Sequence, residues 1–236
     1  MFSIQFNNYN SYKDLGLIVE HRPNTPITEK DVRHIYIQGR NGSLTEDLGT
    51  YRDIEISISF GFKAKDKNNF GYKCRMIKMW LLNVENNKLS FSDDEVFYKV
   101  KNIKFDEEGI ERGLRTLGKF TVTFVCDPFS YLDSELITIT KNNFIIYNEG
   151  TFESQPYMKI FATGDIILNI NDEVIKLENI IDYIELDSEI MECYKEHQNC
   201  NNKIIGEFPI LKVGENKISW TGNVSKIEIT PRWRCL

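Results

Sequence analysis

The chain reads as a mainly β protein of two domains, and three patterns in it predict this. From Ile54 to Phe60 every second residue is apolar, with Glu55, Ser57 and Ser59 between, as in a half-buried antiparallel strand. From Asn69 to Val84 the apolar period lengthens to three or four residues, which predicts one helix inside the first domain. After Asp133 short β segments alternate with turn signals, a spacing that predicts a β-sandwich of jelly-roll type. The expected architecture is an N-terminal β-sandwich or split barrel with one α-helix, residues 1–132, and a C-terminal β-sandwich, residues 133–236.

Taken in order, the chain opens on a short strand, Phe2 to Phe6. Asn41-Gly42, inside the run Ile35 to Phe60, predicts a two-residue type I′ hairpin turn, since both residues tolerate positive φ. In the helix, Phe70, Cys74, Ile77, Leu81 and Val84 share one face, and Phe70, Ile77 and Leu81 should be buried against the sheet. Asn68 or Asn69 should cap its start, and Asn86-Asn87 should stop it. Strands follow at Lys88 to Ser92, Val96 to Phe105 and Leu114 to Cys126, with turns at Ser92 to Asp94 and Asp106 to Gly109. The sheet should end at Asp127-Pro128, because proline has no N–H for a ladder.

In the second half, strands are expected at Leu136 to Thr140, Phe144 to Asn148, Tyr157 to Ala162, Ile166 to Ile170, Val174 to Leu177, Tyr183 to Leu186 and Met191 to Tyr194. Two more are expected at Asn216 to Trp220 and Val224 to Pro231. Thr163-Gly164-Asp165 and Thr221-Gly222-Asn223 are among the turns expected between them. Asn148 to Pro156 is polar and should join two strands of the second domain.

Composition narrows the function. At 236 residues and 27.6 kDa the chain can build two cores, and 41% hydrophobic with 27% charged residues is ordinary for a globular protein. The net charge of −6 lacks the basic footprint of phosphate binding. Lys63, Lys65 and Lys67, and likewise Arg232 and Arg234, are expected to be solvated strand ends. MFSIQFNNYN has neither the basic region nor the apolar core of a signal peptide, and no stretch approaches the ~20 apolar residues of a membrane span, so a cytoplasmic origin and no membrane are expected. The five cysteines are scattered and odd in number, which predicts free thiols.

Candidate chemistry is sparse. Cys193, His197 and Cys200 place three soft-metal ligands within eight residues, but no second knuckle completes a tetrahedral zinc site, and a turn between strands is expected. Asp93-Asp94-Glu95, Asp106-Glu107-Glu108 and Asp187-Ser188-Glu189 could supply paired carboxylates for glycoside hydrolysis; each falls at a turn, where charge serves solubility. No nucleophile elbow, phosphate loop or HExxH motif occurs. Tyr183, Tyr194, Trp220 and Trp233 are candidates for a sugar-stacking platform, although alternation with Ile218 places Trp220 inside. No catalytic, cofactor-binding or metal residue is assigned, and no cofactor is expected.

The ordered series of the Phe2–Phe6 strand, the GRNG turn, YRDIEISISF, one helix, CDPFSY, YNEGTFESQPYMKI and the closing GEFPILKVGENKISWTGNVSKIEITPRWRCL resembles the distal tail proteins of long-tailed bacteriophages, the Dit family. The resemblance implies a non-enzymatic structural protein of a phage or prophage tail tip, assembled in the bacterial host cytoplasm. It implies a hexameric ring between the tail tube protein and the tail-tip hub protein, with a receptor-binding protein as a further neighbour and a back-to-back double ring in isolation. DNA would only pass through the lumen. The first domain would form the annulus, and the second, galectin-like or carbohydrate-binding-module-like, would project outward. The alternative functions are a carbohydrate-binding module for host-wall glycans, which needs an exposed aromatic and polar groove, and an endolysin-like hydrolase.

Overall fold

In a computed structural model of the chain, residues 1–106, 109–113 and 116–236 are described. The expected turn residues Glu107 and Glu108 and the strand start Leu114 lie outside them. The molecule is mainly β with one α-helix and divides into two compact units, Met1–Ser130 with Leu236, and Tyr131–Cys235.

The first unit contains strands β1 (Ile4–Phe6), β2 (Tyr9–Asn10), β3 (Ile18–Val19), β4 (Lys30–Tyr36), β5 (Ser43–Tyr51) and β6 (Ile54–Lys63), then helix α1 (Lys67–Leu82). After the helix come β7 (Lys88–Phe91), β8 (Val96–Phe105), β9 (Glu111–Gly113) and β10 (Leu117–Leu132), whose last two residues belong to the second unit. The main sheet runs β2-β1-β7-β8-β10-β6-β3, with β9 also on β10. Alternation dictates its central ladder. Ile54, Ile56, Ile58 and Phe60 stand opposite Cys126, Phe124, Val122 and Phe120, all buried. On the other face Ser57 and Thr123 share a hydroxyl hydrogen bond of 2.7 Å, and Ser59 and Thr121 one of 2.8 Å.

Helix α1 covers the apolar face. Phe70, Ile77 and Leu81 are buried as the period predicts, and so is Trp80, whose ring meets Phe6 and Phe60 edge-on while its Nε1–H donates to the Phe6 carbonyl at 2.8 Å. The cap is Asp66, not Asn68 or Asn69: its carboxylate accepts from Asn69 N–H at 2.9 Å, and the Asn69 side chain accepts in return from Lys65 N–H at 3.0 Å. This reciprocal pair closes the first turn two residues earlier than the apolar period indicates. At the other end the helix stops at Leu82, leaving Val84 exposed. Buried Asn7, at φ 49°, donates to the carbonyls of Trp80 and Asn83 and accepts from Glu85 and Asn86 N–H, so the last turn is satisfied by a side chain from β1's end.

Two further expectations fail in this unit. The β4–β5 connection is a six-residue loop, since Tyr36 pairs with Ser43. Arg40 N–H bonds Ile37 carbonyl across Gly39 at φ 83°, as in a type II turn, and Gly42 follows at φ 76°, whereas Asn41 has no positive φ. The sheet also runs through Asp127-Pro128. Its ladder to β6 has already ended at Cys126–Ile54, so Pro128 withholds no N–H on that side.

The second unit contains β11 (Ile137–Ile139), β12 (Phe144–Asn148), β13 (Tyr157–Ile170), β14 (Glu173–Ile180), β15 (Tyr183–Asp187), β16 (Glu192–Lys195), β17 (Gln198–Asn199), β18 (Ile204–Ile205), β19 (Gly214–Thr230) and β20 (Arg234–Cys235). Its sheet is ordered β11-β19-β13-β15-β16-β17, with β12 on β19, β14 on β13 and β18 on β14. The expected turns at 163–165 and 221–223 are bends inside β13 and β19, which run on through them with shifted register. Gly222, at φ 98°, faces Asp165, and a Cβ there would lie 2.6 Å from the Asp165 carbonyl oxygen, so the close approach needs glycine. Each long strand changes neighbours at the bend. β13 pairs β15 over Tyr157–Phe161 and β14 over Gly164–Ile170, so the bulge marks where the strand passes from one neighbour to the next. Asn148 to Pro156 lies within this unit, held by Asn148 Nδ2 on the carbonyls of Phe152 and Leu211.

Candidate assembly surface

Strands β4 and β5 form a sheet of their own, two-stranded among the described residues. None of their residues is buried. The register puts Ile35 opposite Leu44 on one face and Tyr36 opposite Ser43 on the other. Ile35 and Leu44 are each 38% exposed, Leu48 is 48% and Tyr36 is 82%. A two-stranded hairpin is marginal in water, and this one carries apolar residues on a face that no third strand covers among the described residues.

Its base is anchored to the first unit. Tyr51 packs edge-on against Phe129 at 5.7 Å, Thr28 Oγ1 donates to Pro128 carbonyl at 2.5 Å, and Arg52 N–H donates to Glu29 carbonyl at 2.9 Å. Lys30–Asp47 at 2.7 Å and Arg52–Asp31 at 3.0 Å are exposed ion pairs that link its two sides and add little stability. The Lys30 hydrogen bond, with Gly49 N–H, holds the Asp47 carboxyl below its ordinary value.

The residues singled out for chemistry are scattered. Cys193 and Cys200 are buried in the core of the second unit, with Cys200 N–H donating to Cys193 carbonyl at 2.7 Å, while His197 stands exposed at the β16–β17 tip. Burial first, then the neighbouring Cys200, pushes the Cys193 thiol up to about 12, the opposite of what a thiolate ligand requires. Asp93 lies exposed and paired to Arg22 at 2.7 Å. Asp106 is exposed, and Glu107 and Glu108 fall outside the described residues.

The third acidic cluster and the C-terminal arginines are structural. Arg232 grips Asp187 with two hydrogen bonds of 2.6 and 2.8 Å and reaches Glu189 at 3.1 Å. Burial pushes the Asp187 carboxyl up, and the guanidinium together with the N–H groups of Glu189 and Ile190 outweighs it, leaving the carboxyl below its usual range. Arg234 donates to Glu153 carbonyl at 2.8 Å and to Gln155 Oε1 at 3.0 Å. Neither arginine is the solvated strand end that its terminal position indicates. Lys63, Lys65 and Lys67 are exposed.

Of the four aromatics, Trp220 and Trp233 are buried and Tyr194 is half-buried. Tyr183 borders an open groove of about 840 Å³ with Lys195, His197 and Lys203, but the ammonium groups of Lys159 and Lys195 lie 4.0 and 4.8 Å from its ring centre. Among the described residues no group of three His, Cys, Asp or Glu side chains is arranged to hold a metal ion, and no helix is long and apolar enough to cross a membrane.

The chain superposes on the Dit protein of phage SPP1, described as a paradigm of hub adsorption apparatus in phages infecting Gram-positive hosts, with a TM-score of 0.68, 13% identity and 97% of each chain covered. Chains of the phage p2 baseplate in its activated conformation also match, with Sr at a TM-score of 0.47 and 11% identity and with Ca at 0.49 and 12%, each covering 97% of this chain and 96% of the other. No curated protein sequence matches. Residues 3–126, more than half the chain and containing both the central ladder and the exposed hairpin, match the model of the phage tail protein RIFT-related domain, and the chain therefore belongs to that family of phage tail proteins.

Proposed function

We propose that this tail protein is the distal tail protein of a long-tailed phage or prophage, a ring component at the virion tail tip without enzymatic activity. The ring is hexameric and joins the tail tube protein to the tail-tip hub protein; DNA passes through its lumen, and a receptor-binding protein is a further neighbour. Residues 1–132 make the annulus, and residues 133–236 form a galectin-like or carbohydrate-binding-module-like sandwich. Assembly takes place in the bacterial host cytoplasm.

The observation that carries this reading is the uncovered β4–β5 hairpin. A closed ring of identical subunits needs a heterologous interface, in which one surface of a copy meets a different surface of the next. A ribbon with an exposed apolar face on an anchored base is such a surface, and it lies within the stretch that defines the family. Less supports the glycan-binding alternative, with Trp220 and Trp233 buried, Tyr194 half-buried and two lysines on the Tyr183 ring.

Light scattering on the full chain tests this. A mass about six times 27.6 kDa, or about twelve times for a back-to-back double ring, is expected. Replacing Ile35 and Leu44 together by Asp should give a folded monomer with the melting temperature of the unassembled subunit. A wild type that stays monomeric at every concentration, both alone and with tail-tube protein, would contradict the ring.

A further inference from the structure

Strands β16 and β17 bring together two thiols that the ring does not use. They pair Tyr194 with Asn199 and Lys195 with Gln198, and one step further from the tip the same register sets Cys193 opposite Cys200. The backbone bears this out: Cys200 N–H donates to Cys193 carbonyl at 2.7 Å, and Cys193 N–H donates at 2.6 Å to the Asn201 side-chain oxygen, which stands where the second ladder bond would be. Opposed residues of an antiparallel pair project to one face, here the core of the second unit, where both cysteines are buried.

The spacing suits a covalent link. In such a pair the Cα atoms stand about 5.5 Å apart and the Cβ atoms about 4.5–5.5 Å, against about 4.4–6.8 Å and about 3.5–4.5 Å across a disulfide, so the Cβ atoms need to close by about 1 Å or less. The Cys200 thiol now donates to Gln198 carbonyl at 3.5 Å, a weak bond that rotation about χ1 gives up. β17 is the outermost strand of its sheet, two residues long and exposed, so its opening is the local event that admits a reagent, and Cys200 beside it is met before Cys193.

We propose that Cys193 and Cys200 are a latent disulfide, held reduced in a cytoplasm and joined by thiol–disulfide exchange with a small linear disulfide in oxidising surroundings. Cys200 Sγ attacks one sulfur of the reagent and releases the first small thiol; Cys193 Sγ then attacks the Cys200 sulfur and releases the second. Two cysteine S–H bonds and the reagent's S–S bond break, one protein S–S bond forms, and both protons leave on the two released thiols. The chain loses two electrons and the reagent gains them. Burial that holds the Cys193 thiol protonated makes the second step the slow one. The pair belongs to the second unit alone, and its oxidation does not depend on the ring.

Incubating the full chain with glutathione disulfide at about pH 8, near the ordinary thiol pKa, and then unfolding it and alkylating the remaining thiols tests the pairing. Trypsin cuts after Lys176, Lys195 and Lys203, so Cys193 and Cys200 fall on separate peptides, 177–195 and 196–203, unless a bond joins them. Mass spectrometry is expected to find the two peptides as one linked species, with alkylation lost at both cysteines and regained after dithiothreitol. Cys193→Ala should stop at a glutathione mixed disulfide on Cys200, and Cys200→Ala should leave Cys193 unmodified. The oxidised wild type should melt no lower than the reduced one. The two peptides recovered apart and alkylated, or either cysteine bonded instead to Cys74, Cys126 or Cys235, would overturn the proposal. A lower melting temperature after oxidation would do so as well, because it would show that the native spacing does not admit the bond.

Discussion

At the scale of single residues, buried asparagines do what the sequence assigns to turns. Asn7, Asn148 and Asn216 are 5%, 1% and 0% exposed, and each uses its amide to bond backbone groups of distant or adjoining segments. Asn7→Ala would remove four such bonds and leave the end of α1 unsatisfied; at ~1 kcal/mol net per bond, a loss of about 3 kcal/mol is expected by urea denaturation, allowing for partial rehydration. Arg232 sits at φ 57° and holds Asp187. Arg232→Ala should cost about 3 kcal/mol at pH 7, the low end for breaking a buried pair, because 24% of its side chain stays exposed. Asp187 titrates below its ordinary value in the fold, so this stabilisation is whole above pH ~3.9 and is lost as pH falls through the folded value. The gap between wild type and variant should therefore narrow in acid; a gap that widened would show that the ion pair is not its source.

At the scale of elements, periodicity was legible and connectivity was not. The strand Ile54–Phe60 and the buried face of α1 follow from alternation and from the helical period, because burial of one face is a local property of the sequence. Leu81→Ala should cost about 2–5 kcal/mol, while Leu82→Ala, one residue on and 65% exposed, should change stability by under about 0.5 kcal/mol. Equal costs would mean that α1 does not pack on the sheet as described. Two glycine signals misled. Thr163-Gly164-Asp165 and Thr221-Gly222-Asn223 look like hairpin turns, and they are bends because β13 and β19 bend together, a tertiary fact invisible in either strand alone. The exposed face of β4–β5 was hidden likewise: Ile35 and Leu44 lie on different strands, and only their pairing, with no third strand in that sheet among the described residues, reveals the face as uncovered.

At the scale of the molecule, the order of landmarks carried more information than any one of them. The N-terminal strand, the GRNG loop and the CDPFSY exit are each ordinary, and their sequence along the chain points to the tail-protein family that residues 3–126 match. The candidate site was legible only as a class, because an assembly surface is defined by what fails to cover it, which no residue pattern states. The central claim is that the ring is made by the first unit. The most direct measurement is the solution mass of two fragments, residues 1–132 and residues 133–236, by light scattering across a range of concentrations, since weak interfaces assemble by mass action. Ring-sized oligomers of the first fragment and a monomeric second fragment are the expected result; rings from residues 133–236 alone, with residues 1–132 monomeric throughout, would contradict it.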